Sequence, residues 1–317
     1  MSFEVSVAGN AGEEKIVLKE FFTGTQAEIY VFGALLNSFC LQRNDKTVNV
    51  MYAYKSVDDA KKNLTPLFQG AKLSPFVCRL RDGKYTFENE KYHVQKYYLK
   101  QDAIHGLIFD KHFTIKEKGA TETYAFVTLA YEYRLEDKGF PFVYNAEITY
   151  RLESNNHLTV TTVVTNETSR DMPLSDGWHP YFHLGNTIND LELQFRSAFK
   201  VIFDDRLLPT GEYEAYTQYN TPHQLGNTTF DNCFVLDEDF SQPACILRDE
   251  KVGLQLNIIP EPSYPYLQIY TPDNRRGIAV ENLSSPPDAF NNAVNLTILR
   301  PGECKRFTTA YQLQWIG

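Results

Sequence analysis

The chain has 317 residues, a formal net charge of −9 and an aromatic share of 14%. That acidic balance excludes general nucleic-acid binding, which needs a clustered basic face to displace counterions, and docking on an anionic membrane surface. No apolar run approaches a membrane span, and a chain of this length buries roughly 75% of its unfolded surface without disulfide staples.

Met1-Ser2-Phe3-Glu4-Val5 has neither a basic n-region nor a long apolar h-region, so a cytoplasmic protein without a secretory leader is expected. Cys40, Cys78, Cys233, Cys245 and Cys304 are odd in number and form no Cys-x-x-Cys pair. They read as small core residues in a reducing compartment. Ser56 to Asn63 predicts one short helix, with Ser56 as N-cap and Asp58 and Asp59 in its first turn. Around Arg79-Leu80-Arg81-Asp82-Gly83 the Asp-Gly predicts a hairpin turn. Arg79 and Arg81 then share one strand face, either as a solvated edge or as a donor fork for hydroxyl or phosphate oxygens.

His105 follows a polar segment and precedes Gly106, which permits close backbone approach to a ligand. Taken alone it reads as a strand-end histidine with no special role. Period-two alternation then dominates. Tyr124 to Tyr133, Val143 to Leu152 and His157 to Val164 are strands, the last two joined as a hairpin through Glu153-Ser154-Asn155-Asn156. The pattern continues at Leu191 to Phe195, Leu254 to Ile259, Tyr266 to Tyr270, Ile278 to Glu281, Leu296 to Leu299 and Phe307 to Gln314. Many long strands and few helices predict one all-β domain over residues 1–317, a large antiparallel β-sandwich.

The stretch Asp176-Gly177-Trp178-His179-Pro180-Tyr181-Phe182-His183-Leu184-Gly185 sets a titratable imidazole among rings able to stack on a small ligand. His179 reads either as a satisfied core histidine or as a proton donor near neutral pH. Asp231 and Asn232 can take sugar hydroxyls or simply make an Asx turn. Gln268 lies on the solvated face of its strand or lines a site, and period two alone does not choose. Glu281 closes an apolar run as a carboxylate at a strand end, before the stiff loop Pro286-Pro287-Asp288-Ala289-Phe290-Asn291. No metal site is expected: no His-x-His pair is present, and the one His-x-x-x-His spacing, His179 with His183, has no further ligand pattern beside it.

His179-Pro180-Tyr181-Phe182 and Glu281 with its Pro-Pro-Asp-Ala-Phe-Asn loop resemble the aldose 1-epimerase family, the galactose mutarotases. So do the Arg79 and Asp231 segments and the order Arg79, His105, His179, Asp231, Gln268, Glu281. The resemblance covers about residues 20 to 315. It implies a galactose-mutarotase-type β-sandwich with few short helices, an isomerase of small sugars that uses no cofactor. Glu281 would be general base and His179 general acid; Arg79, His105, Asp231 and Gln268 would hold sugar hydroxyls or the ring oxygen. Departures from the family pattern fall at Val77-Cys78, Gly106-Leu107 and Trp178. Acid and base on opposite sides of a sugar fit ring opening. Alternatives stay open: a hexose-6-phosphate epimerase with Arg79 and Arg81, or Arg275 and Arg276, as clamp; a non-catalytic carbohydrate-binding protein of the same fold; a glycosidase using Asp231 and Glu281. The expected partner is a small sugar, with the protein a monomer or homodimer.

Overall fold

The computed structural model describes residues 2–43 and 46–316. The alternation read from the sequence becomes strand pairing. In Val143–Glu153 the side chains of Tyr144, Ala146, Ile148, Tyr150 and Leu152 are all fully buried, while their neighbours point outward. Burying a large apolar side chain contributes about 1.5–3 kcal/mol, and that gain fixes the strand's facing. The hairpin to His157–Asn166 forms in the expected register, Glu153 against His157. The short helix also forms, at Val57–Asn63, with the Ser56 hydroxyl accepting from the Asp59 amide at 3.1 Å.

Two large antiparallel sheets face each other. One carries nine described strands, among them Tyr124–Arg134, Val143–Glu153, His157–Asn166, Cys304–Trp315 and Leu254–Pro260 as consecutive neighbours. The other has eight described strands, and from its middle to one edge run Asp231–Leu236, Tyr266–Tyr270, Ile278–Leu283, Gly177–His179 and Ala71–Leu73. Leu256, Ile258 and Tyr311 of the first sheet share one core with Leu267, Ile269 and Val280 of the second. This is the expected β-sandwich. The sequence reading named no strand before residue 56, yet Phe3–Ala8, Lys15–Glu20, Gln26–Tyr30, Leu35–Arg43 and Lys46–Asn49 pair into a further five-stranded sheet. Among the described residues no helix is long and apolar enough to cross a membrane.

The eight-stranded sheet is covered on both faces. Its outer face carries Cys233, Tyr266 and Leu283 and packs against Val77, Cys78 and Ile104. Its inner face holds a charged pair with no solvent exposure, Lys72 with Asp176. Lys72 also donates to Thr162 of the opposite sheet at 3.0 Å, and its ammonium lies 4.4 Å from the Trp178 ring centroid. The Tyr264 hydroxyl donates to Asp176 at 2.6 Å. Asp176 also exchanges two hydrogen bonds with Ser284, joining the ends of the strands that carry His179 and Glu281.

Candidate active site

His179 and Glu281 meet because of register. Gly177 pairs with Leu283, and Tyr181 pairs with Ala279. Carried through the break at Pro180, that register sets His179 opposite Glu281. Directly opposed antiparallel residues project to one face with close Cβ atoms. Here His179 Nε2 lies 3.3 Å from Glu281 Oε1. On the other side of Glu281 the register places Gln268 beside it, and Cys233 beside Gln268. The face left open in the sequence is thereby decided: Gln268 lies with Glu281 on the outer face, while Leu267 and Ile269 enter the core.

Above this row lies a cavity of about 320 Å³. Arg79, His105, His179, Asp231, Gln268 and Glu281 all line it, so one space brings together the six residues singled out from the sequence. Gln268 donates to Asp231 Oδ1 at 3.0 Å. Four lining atoms are buried without a protein partner: His105 Nδ1, His179 Nδ1, Gln268 Oε1 and Glu281 Oε2. Orphaned buried polar atoms cost about 1–3 kcal/mol each unless something else satisfies them, so their gathering around one cavity marks a place for a polar ligand.

Burial governs the electrostatics. It pushes the Glu281 carboxyl well above 4.5, with repulsion from Asp231 adding to it. It pulls the His179 imidazole down to about 4. His105 is held well below 6.5 by burial, then by His179 and Arg79. Asp231 is raised by burial, against the pull of Arg79 and of its Gln268 hydrogen bond. Burial thus favours the neutral form of both partners, a protonated Glu281 carboxyl beside an unprotonated His179 imidazole.

Several sequence expectations are corrected. Acid and base do not sit on opposite flanks; as a cross-strand pair they sit side by side. His179 alone is not cationic near neutral pH, because desolvation favours the neutral ring. Glu281 is not at a strand end but inside Ile278–Leu283, where it is 2% exposed. Arg79–Leu80 is a two-residue strand followed by a 3-10 turn, and the hairpin forms later, between Lys84–Phe87 and Glu90–His93. Gly106 does admit a close approach, but of protein: a Cβ there would stand 2.2 Å from the Ser74 carbonyl oxygen. Of the aromatic stretch only His179 and Tyr181 line the cavity, since Trp178 and Phe182 alternate into the core. Of the arginines offered as phosphate clamps, Arg79 lines the cavity, while Arg81, Arg275 and Arg276 do not. Arg81 lies outside the cavity, beside Asp204 at 3.3 Å, and Arg275 is spent on Asn189 and on the carbonyls of Gly226 and Thr228.

The sequence reading missed Leu99, Lys100, Phe203, Leu207 and Tyr270 as lining residues. Phe203 and Leu207 flank a tight turn in which Asp204 caps the amides of Arg206 and Leu208. The turn is clasped to the neighbouring segment by Arg206 with Asp82 and Asp102, and by Arg81 with Asp204. Cys78, Lys100, His105 and Leu207 all line the cavity at positive φ. Such backbones cost about 1–3 kcal/mol each and collect at functional sites. Nothing in the residue types Cys, Lys or Leu announces that conformation. Of the three departures from the family pattern, Cys78 lines the cavity while Leu107 and Trp178 are core residues. Among the described residues no three His, Cys, Asp or Glu side chains group as metal ligands.

The family profile described as "Aldose 1-epimerase" matches residues 14–312. An Escherichia coli protein, YihR, itself uncharacterised, is 25% identical over 245 residues, 75% of this chain and 76% of its own length. A galactose mutarotase-like protein from Clostridium acetobutylicum superposes with a TM-score of 0.86 at 20% identity, covering 99% of each chain. The galactose 1-epimerase of Lactobacillus acidophilus does so at 0.84 and 18%, over the full length of both. These likenesses give the fold, the galactose-mutarotase β-sandwich.

Proposed function

The chain belongs to the aldose 1-epimerase family, and from that premise we propose that it interconverts the α and β anomers of a free aldohexose. Glu281 takes the proton from the C1 hydroxyl as His179 delivers one to the ring oxygen. The C1–ring oxygen bond breaks, the aldehyde rotates about C1–C2, and closure on the other face reverses the roles. The two oxygens share the C1 carbon, so the groups serving them must stand close together. The observation that carries this reading is the 3.3 Å His179–Glu281 pair on the floor of a cavity that Arg79, His105, Asp231 and Gln268 also line. The active charge arrangement, carboxylate with imidazolium, has the same proton count as the neutral pair. A bound sugar therefore needs only a proton shift within the pair, with none drawn from solvent. Positioned acids and bases each supply about 10²–10⁴ in rate. Arg79, His105, Asp231 and Gln268 hold the ring in place. The cavity volume lies at the small end of the roughly 300–1,000 Å³ typical of ligand sites, which suits a monosaccharide.

The test is anomer exchange, followed by polarimetry or by saturation-transfer NMR, across a small panel of hexoses with and without a 6-phosphate. Faster exchange on a free hexose is expected. Binding without acceleration would replace the enzyme reading with a sugar-binding one, and a large preference for the phosphate would move the substrate to hexose 6-phosphates.

A further inference from the structure

Tyr181 forms part of the wall of this cavity. Period two through Pro180 puts it on the same face as His179, and the two rings stack at 5.2 Å between centroids and 14° between planes. The Tyr270 ring meets Tyr181 edge-on at 6.5 Å. The His105 ring meets His179 edge-on at 4.9 Å. The His179 imidazole is thus held by ring contacts on two sides, and no protein hydrogen bond orients its Nδ1. Tyr181 is only 2% exposed, yet it lines the cavity, and among the described residues its hydroxyl has no hydrogen-bond partner. Its backbone, by contrast, is fixed: it pairs with Ala279, and its carbonyl accepts from the Tyr52 amide at 3.0 Å.

Resting on the reaction proposed above, we infer that Tyr181 is a further substrate-contacting and positioning residue: its ring sets the plane of His179 and its hydroxyl hydrogen-bonds the sugar beside the anomeric centre. Three features make it suited to that work. A phenol ring is rigid, with an apolar body and a polar tip, so it can pack on the imidazole and address a hydroxyl at once. Burial and the nearby Glu281 and Asp231 hold the phenol far above its usual range, so it acts as a neutral donor and takes no part in proton exchange. A hydroxyl on a cavity-lining ring with no protein partner is free to bond what enters the cavity.

The experiment separates ring from hydroxyl. Tyr181→Phe keeps the stack and removes the hydroxyl; KM should rise about two- to twelvefold, the worth of one net hydrogen bond, with a smaller fall in kcat. Tyr181→Leu removes both; kcat should fall about tenfold or more. Its His179 ring resonance, identified by its loss in His179→Gln, should move as the ring-current shielding disappears, and should titrate nearer 6.5 than the value of about 4 in the parent protein. Tyr181→Met takes the same two readouts should the leucine variant not fold. Unchanged kcat and KM in Tyr181→Phe overturn the hydroxyl contact. A His179 resonance that neither moves nor changes its titration in Tyr181→Leu overturns the positioning role. The ring readout needs no turnover, so it still decides that part if the parent protein accelerates no sugar. In that event sugar affinity measured by NMR, parent against Tyr181→Phe, decides the hydroxyl's part.

Discussion

The eight-stranded sheet carries a buried ionisable pair on each face, and the pairs are built differently. On the inner face Lys72 and Asp176 are in direct contact, fully buried, and tied further by Thr162, Tyr264 and Ser284, and the unpartnered Asp176 Oδ2 lies outside the cavity. On the outer face His179 and Glu281 stand 3.3 Å apart, each with another polar atom left unpartnered toward a cavity. The inner pair holds one alignment of the strands. A buried ion pair contributes little net stability over apolar residues of similar volume, but breaking it by removing one partner is costly. The outer pair's spare hydrogen-bonding capacity faces a cavity, where it is open to a polar ligand.

The difference can be broken from either face. Glu281→Gln should lower anomer exchange by about 10²–10⁴ while the protein stays folded, because a neutral amide replaces a carboxyl that burial already keeps protonated. Retained activity measured by polarimetry would withdraw the base assignment. Lys72→Met should instead cost about 3–5 kcal/mol in urea denaturation by stranding Asp176, and the double change Lys72→Met with Asp176→Leu should recover most of it. A single variant as stable as the parent would show that the inner pair does not constrain the sheet. Gln268→Ala should raise KM by about tenfold with kcat less affected, roughly one hydrogen bond's worth plus the loosened Asp231.

A pH series sharpens the outer pair. As pH falls from 6.5 toward about 4, the unfolded chain binds a proton that folded His179 refuses, so stability declines on the acid side. As pH rises above 4.5, the unfolded chain gives up a proton that folded Glu281 keeps, so that group lowers stability on the alkaline side. Between 4.5 and 6.5 the two slopes oppose each other; above 6.5 the Glu281 slope stands alone of the pair. Denaturation midpoints of the parent should therefore fall relative to Glu281→Gln as pH rises from 6.5. Parallel curves would mean the carboxyl is not raised.

Much of this was legible in the residues. Strong alternation in Tyr124 to Tyr133 and Val143 to Leu152 specified strands and their buried faces. The order of Arg79, His105, His179, Asp231, Gln268 and Glu281 pointed to residues that do line one cavity. What escaped was relational. Whether His179 and Glu281 face each other or lie abreast depends on a register carried across Pro180, and no local pattern encodes it. Lys72 sits in Gly70-Ala71-Lys72-Leu73, where a lysine reads as a solvated charge until Asp176 is found beneath it. The strands before residue 56 are shorter and punctuated by glycines, so their alternation stood out less.

The clasp on the turn between Phe203 and Leu207 differs in kind from the His179–Glu281 pair. Arg81, Arg206, Asp82 and Asp204 are all at least a quarter exposed, so dissolved ions can weaken their attraction. His179 and Glu281 are nearly out of reach of such screening. Ionic strength therefore acts on the fastening of one wall and leaves the floor alone: brine should loosen the turn that carries Phe203 and Leu207 and scarcely touch the pair beneath.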